Sequence, residues 1–163
     1  MAGPWFHVAL VEPEIPPNTG NIARLCAATG CPLHLIGPLG FDISEKAVRR
    51  AGLDYWHLVA LHRHEDLRSA EEQIKADSPA GTSPRTWLMS GRGTRSHVET
   101  PYARGDVLVF GCESRGLPRQ LLEERSGEVV AIPMPGAVRS LNLANAVAIV
   151  VYEALRQVGA LRE

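Results

Sequence analysis

Residues 6–30 read FHVALVEPEIPPNTGNIARLCAATG, and the change of texture along them decides the fold class. Phe6–Val11 is a nearly unbroken apolar run of strand length, the pattern of a strand buried on both faces. Pro13, Pro16 and Pro17 then stiffen a loop. Thr19–Thr29 takes up helical spacing, with Asn18 or Thr19 placed to cap its start and Gly30 to stop it. Strand, loop and helix in succession form the repeating unit of an α/β fold.

The same alternation continues outward. Leu33–Ile36, His57–Leu61, Thr86–Ser90, Val107–Phe110 and Val129–Ile132 read as further strands. Ser44–Ala51, capped by Ser44 and ended by Gly52, and Glu65–Ala76 read as helices. A short helix starts at Pro118, where proline suits the first helical position, and Leu141–Val158 forms a long final helix. Residues 77–84, DSPAGTSP, are a loop rather than a linker, and no repeat interrupts the pattern. The expectation is a mostly parallel sheet flanked by helices, with residues 1–163 forming one domain.

Composition narrows the class. Hydrophobic residues make up 45% and aromatics only 6%, so the core must be chiefly aliphatic. A net charge of −1 does not by itself suggest a nucleic-acid partner. Fifteen of the seventeen basic residues are arginine, which suits bidentate phosphate binding and equally fits a GC-rich genome. Cys26, Cys31 and Cys112 are odd in number and lack C-x-x-C spacing. That argues against a disulfide framework or zinc site and for a reducing compartment. Met1–Phe6 has no charged signal-type start, and the longest apolar run, Ala146–Tyr152, is too short to span a bilayer. A cytoplasmic protein without membrane or metal partner is expected.

The final helix is apolar nearly all round. Leu143, Val147, Val150, Val151, Ala154, Leu155 and Val158 make one stripe, while Ala146, Ile149 and Tyr152 make the opposite side apolar too. Burial of both faces is expected, the second by a covering loop or, as the favoured reading, by a C2 dimer partner.

Three clusters follow strands, where open α/β sheets bind ligands. In the first, Asn18, Asn21 and Arg24 recur every three residues. Asn21 and Arg24 share a helix face, which is either an anion-binding surface or an ordinary capped helix with a surface arginine. The second is Gly111-Cys112-Glu113-Ser114-Arg115-Gly116-Leu117-Pro118. It lacks the Lys-Ser/Thr of a P-loop, and Gly91-Arg92-Gly93 does not extend to a dinucleotide fingerprint. The third, residues 132–146, reads IPMPGAVRSLNLANA. Ser140 or Asn142 can cap the final helix, and Asn145 is an amide in an otherwise buried helix that needs partners. His62 and His64 lack a third metal ligand nearby in sequence, Cys112 lacks an activating histidine, and Glu12 with Glu14 sits in a loop poorly suited to paired acid–base work.

Together and in this order, the clusters resemble the TrmH/TrmL branch of the SPOUT RNA methyltransferases. Asn18, Asn21 and Arg24 match its first motif. Gly111, Glu113, Gly116, Leu117 and Pro118 match its second. Ile132, Pro133, Met134, Ser140, Leu141, Asn142, Leu143, Asn145 and Ala146 match its third, with Ala144 standing where a small hydroxyl residue is frequent. Residues 12–24, 49–55 (RRAGLDY) and 151–157 (VYEALRQ) are similar to the TrmL-type members that modify the tRNA wobble ribose.

The resemblance implies a SPOUT fold with a deep C-terminal trefoil knot, a rare exception to unknotted topology. It also implies a homodimer and transfer of methyl from S-adenosylmethionine to the 2′-hydroxyl of cytidine or uridine 34 in the tRNA anticodon stem-loop. Met89, Gly111, Glu113, Ile132, Met134, Ser140 and Leu141 would hold the cofactor. Arg24 would be catalytic, oriented by Asn21, with Ser140 and Asn142 positioning the reactants. A guanidinium seldom deprotonates, so a phosphate-bound Arg24 stabilising oxyanion charge is physically easier than Arg24 as general base. Arg49, Arg50, Arg92, Arg95, Arg115 and Arg139 would track RNA phosphates. The alternatives are a SPOUT 2′-O-methyltransferase acting on another tRNA position or on rRNA, and a non-catalytic RNA- or cofactor-binding module; the intact Asn18, Asn21 and Arg24 argue against the latter.

Overall fold

The computed structural model describes residues 2–43 and 56–162. The helix expected over Ser44–Ala51, its stop at Gly52, Arg49, Arg50 and the RRAGLDY segment lie outside the described residues. The elements run β1 (His7–Val11), α1 (Pro16–Thr29), β2 (Leu33–Ile36), a 3₁₀ turn (Trp56–Leu58), β3 (Leu61–His64), α2 (Leu67–Asp77), β4 (Thr86–Met89), β5 (Arg95–Ser96), β6 (Val107–Phe110), α3 (Arg119–Glu124), a second 3₁₀ turn (Ser126–Glu128), β7 (Val129–Ala131) and α4 (Leu143–Gln157).

The seven strands form one sheet in the order β3-β2-β1-β6-β4-β7-β5. Every ladder is parallel, as in Val8 opposite Leu33 and Leu10 opposite Phe110. Helices cover both faces, which is why β2, β4 and β6 are buried at every residue. On one face, Val8, Leu10, Leu35 and Leu108 meet Ile22 and Cys26 of α1 and Val147, Val151 and Leu155 of α4. On the other, Ala9, Leu88 and Val109 meet Ala70 and Ile74 of α2 and Leu122 of α3. The period-two alternation of strand side chains thus feeds two cores from one sheet.

Several local expectations shift. Helix α1 starts at Pro16, not Thr19, and Ile15 at its N-cap makes no side-chain capping bond. Pro16 and Pro17 fill the first turn, where the missing N–H groups would otherwise need partners, so Asn18 and Thr19 lie inside the helix. The strand expected at His57–Leu61 is replaced by a 3₁₀ turn, and β3 begins at Leu61. Register against β2, with Leu33 opposite Leu61, decides that boundary. Asp66 caps α2 by accepting from the Ser69 N–H at 2.8 Å, so α2 starts two residues later than expected. Pro118 is the N-cap of α3 rather than its first helical residue. The short edge strand β5 had no sequence signal.

Helix α4 departs most. Val147, Val150, Val151, Ala154 and Leu155 are buried as expected, but Ile149 is 39% and Tyr152 45% exposed. Asn145 is exposed rather than enclosed. Among the described residues the second apolar face is therefore left exposed at Ile149 and Tyr152. The paired His62 and His64 also gain neighbours that sequence distance hid. His34 Nδ1 lies 2.9 Å from His64 Nε2, and His34 Nε2 lies 3.0 Å from His7 Nδ1. These rings hydrogen-bond one another; among the described residues no His, Cys, Asp or Glu group is arranged to hold a metal ion.

Candidate functional site

Strand order makes β1 the switch point: β2 and β3 extend to one side, and β6, β4, β7 and β5 to the other. Such a reversal opens a crevice at the carboxyl ends of the strands. Because all strands are parallel, the loops leaving β1, β4, β6 and β7 emerge along that same edge. They enclose a cleft of about 640 Å³, within the usual range for small-ligand sites.

All seven residues expected to hold a cofactor line this cleft: Met89, Gly111, Glu113, Ile132, Met134, Ser140 and Leu141. Phe110, Val130 and Leu143 add apolar wall, so the floor is suited to a flat ring while polar groups stand at its edges. Gly111 is required by packing, because a Cβ there would overlap the backbone of Gly116 and Leu117. The turn folds back on itself, with the Gly116 N–H donating to the Cys112 carbonyl at 2.9 Å.

A chain of side chains ties the three sequence clusters together. The Asn142 Oδ1 caps α4 by accepting from the N–H groups of Ala144 and Asn145 at 2.9 and 3.3 Å. Its Nδ2 donates to Asn18 Oδ1 at 3.0 Å, and Asn18 Nδ2 donates to Glu113 at 3.2 Å. Glu113 also accepts from the backbone N–H of Glu14 at 2.9 Å and of Ile15 at 2.8 Å. Asn142, one of the two cap candidates, is thus the actual cap and also the link to the first cluster. Asn18 is 8% exposed, a buried amide whose two ends are both satisfied. Sequence spacing grouped Asn18 with Asn21 and Arg24; its partners show that it belongs to the cleft.

Asn21 and Arg24 are placed differently. Both are exposed on later turns of α1, and neither lines the cleft of its own chain. Six residues of α-helix carry Arg24 about 9 Å along and about 120° around from Asn18. Arg92, Arg115 and Arg139 stand at the cleft. Arg95 lines an adjoining hollow of about 590 Å³ that shares Gly91, Ile132, Met134 and Arg139 with it. Ile15, an exposed apolar side chain at the cleft, escaped the sequence reading, and Glu14, set aside there as an acid–base carboxylate, has a structural partner instead: its carboxylate accepts from the Ser114 N–H at 2.9 Å and its hydroxyl at 2.7 Å. Only the meeting of two loops far apart in sequence reveals that pairing.

The sequence profile described as the SpoU rRNA Methylase family matches residues 5–152. A tRNA (cytidine(34)-2'-O)-methyltransferase from Saccharophagus degradans is 50% identical over 157 residues, covering 94% of this chain and 96% of the relative. The protein of the same description from Escherichia coli K12 is 48% identical over 155 residues, covering 94% of each chain. A solved structure described as giving insight into 2-OH methylation of C/U34 on tRNA superposes with a TM-score of 0.81 at 49% identity, covering 93% of this chain and 95% of that one. The SpoU methyltransferase AviRb from Streptomyces viridochromogenes, solved with AdoMet, superposes with a TM-score of 0.81 at 26% identity over 96% of this chain and 59% of its own.

Proposed function

Because the chain belongs to the SpoU methylase family, we propose that it transfers a methyl group from S-adenosylmethionine to the ribose 2′-hydroxyl of the wobble nucleotide, cytidine or uridine 34, of tRNA. One observation carries this reading. The second and third motif clusters and Asn18 of the first converge on one cleft, in a chain half identical to tRNA cytidine-34 ribose methyltransferases along nearly its whole length. The same reading includes the family's trefoil threading of the segment between β7 and α4, and action in the cytoplasm.

The cleft residues fit the cofactor. Met89, Ile132 and Leu141 offer apolar cover for an adenine ring, and the close-packed turn at Gly111 presents backbone groups at its edge. Glu113 places a carboxylate in the wall beside a ligand that carries a sulfonium charge. When bound, the cofactor supplies an activated methyl group. The protein's own tasks are to place a ribose hydroxyl in line with that group and to manage the proton the hydroxyl loses. Ser140 and Asn142, at the mouth of the final helix, position the reactants. Arg24 holds the phosphate next to the target and stabilises negative charge as it develops on the oxygen, with Asn21 orienting it.

Two features support a homodimer. Ile149 and Tyr152 leave an uncovered apolar stripe on α4, and α4 packs beside α1 on the same sheet face. Arg24 lies off its own chain's cleft, so in this reading it serves the partner's cleft across the interface. Arg92, Arg95, Arg115 and Arg139 would follow the anticodon stem-loop backbone, whose unpaired bases and accessible 2′-hydroxyl suit a small catalyst. Mass spectrometry of nuclease fragments from tRNA incubated with the purified protein and cofactor tests the assignment. A methyl group on the ribose of nucleotide 34 is expected. Methylation of a base, or of a ribose outside the anticodon loop, overturns it.

A further inference from the structure

The loop from β1 to α1 and the loop after β6 hold each other by exchanged carboxylates. Glu113 accepts from the N–H groups of Glu14 and Ile15, while Glu14 Oε1 accepts from both the N–H and the hydroxyl of Ser114. These are charge-assisted bonds, shorter and stronger than neutral ones, and those from Ser114 hold the Glu14 carboxyl below the usual carboxylate range. The first loop is shaped from behind to make this possible. Glu12 takes a left-handed backbone at φ 50°, unusual for a residue with a side chain. Gly40 donates its N–H to the Pro13 carbonyl at 3.1 Å, and a Cβ on it would stand 3.0 Å from the Glu14 Cα. A Cβ on Gly37 would stand 2.9 Å from Glu12 Cγ. Strain and close packing are thus concentrated where they present Glu14 to Ser114, and Ser114 lies in the turn that walls the cleft.

We propose that Glu14 is a positioning residue for the methyl donor: by gripping Ser114 it sets the 111–116 turn in the form whose backbone reads the cofactor. This rests on the cleft being the S-adenosylmethionine site. Glu14 itself does not line the cleft; it acts through Ser114.

The test is calorimetric titration of S-adenosylmethionine into the wild type, Glu14→Ala, Glu14→Gln, Ser114→Ala and the double variant, together with steady-state methylation of tRNA. Losing the charge-assisted pair in Glu14→Ala is expected to raise Kd and KM for the cofactor about tenfold, with kcat at saturating cofactor kept within about twofold. Glu14→Gln keeps an acceptor and falls between. The double variant binds no worse than Glu14→Ala alone, because both changes remove one interaction. Wild-type binding with unchanged affinity in Glu14→Ala and Ser114→Ala overturns this proposal alone. So does a loss confined to kcat or thermal midpoint. No binding by the wild type overturns the cofactor reading, and the proposal with it.

Discussion

At the scale of the residue, Asn18 and Arg24 show how far a spacing argument reaches. They stand six positions apart in one motif and on one helix, yet Asn18 joins Glu113 to Asn142 inside the cleft while Arg24 lies outside that cleft's lining. The helical repeat separates them, and no property of either residue type announces it. Arg24→Ala is therefore expected to nearly abolish methylation while leaving cofactor affinity within a few-fold, as measured by activity assay and calorimetry in parallel; full activity would remove Arg24 from the chemistry. Asn18→Ala should behave in the opposite way. It removes the buried amide that links Asn142 to Glu113, costing about 1 kcal/mol of stability and weakening cofactor binding. An urea midpoint and a cofactor Kd both indistinguishable from wild type would refute that role.

At the scale of the element, the outcome followed how many neighbours each segment needed. Strands β2 and β6 matched their sequence boundaries, because a strand buried on both faces carries its burial in its own apolar run. The edge strand β3 did not, since only its ladder with β2 defines it. Together with the β1–β2 ladder, that ladder builds the row His7–His34–His64. Burial presses His7 down to about 4 and His34 to about 3; the charge of His62 adds to the first and those of His7, His62 and His64 to the second, while Asp77 at the end of α2 works the other way on His7. With 3% and 8% exposure, His34 and His7 fold as neutral rings. The unfolded chain takes up protons below about 6.5, so stability is complete above that pH and is lost as pH falls towards 4. By pH 5 the loss should be on the order of 2 kcal/mol for each of the two. Urea midpoints flat from pH 7 to pH 5 would disprove the linkage.

At the scale of the whole molecule, α4 and Arg24 make one argument. A charge placed at Ile149 or Tyr152 would be buried unpaired in a dimer. Ile149→Glu should therefore sediment as a monomer or lose solubility, and a wild type already monomeric at micromolar concentration would end the dimer reading. If Arg24 serves the partner's cleft, mixing inactive Arg24→Ala with a cleft variant such as Ser140→Ala rebuilds one complete site in each mixed dimer. Random exchange of protomers should restore about a quarter of wild-type activity. No recovery after verified exchange would place Arg24 in its own chain's site. Binding of tRNA should also weaken steeply with salt, because each phosphate contact releases roughly one counterion.

The α/β class, the mostly parallel sheet and the three ligand-side clusters were legible in the sequence, because they depend on runs, periods and loop residues that are local to the chain. The family was legible too, since motif order is a property of the sequence, and the seven cofactor candidates came with that resemblance rather than from spacing. Which members of a cluster share a cavity, that Glu14 grips Ser114, that four scattered histidines adjoin, and that one face of α4 is left exposed among the described residues emerged only in three dimensions. Each depends on which segments, tens of residues apart, do or do not meet. Strand order and register fix such contacts, and neither is written in any local pattern.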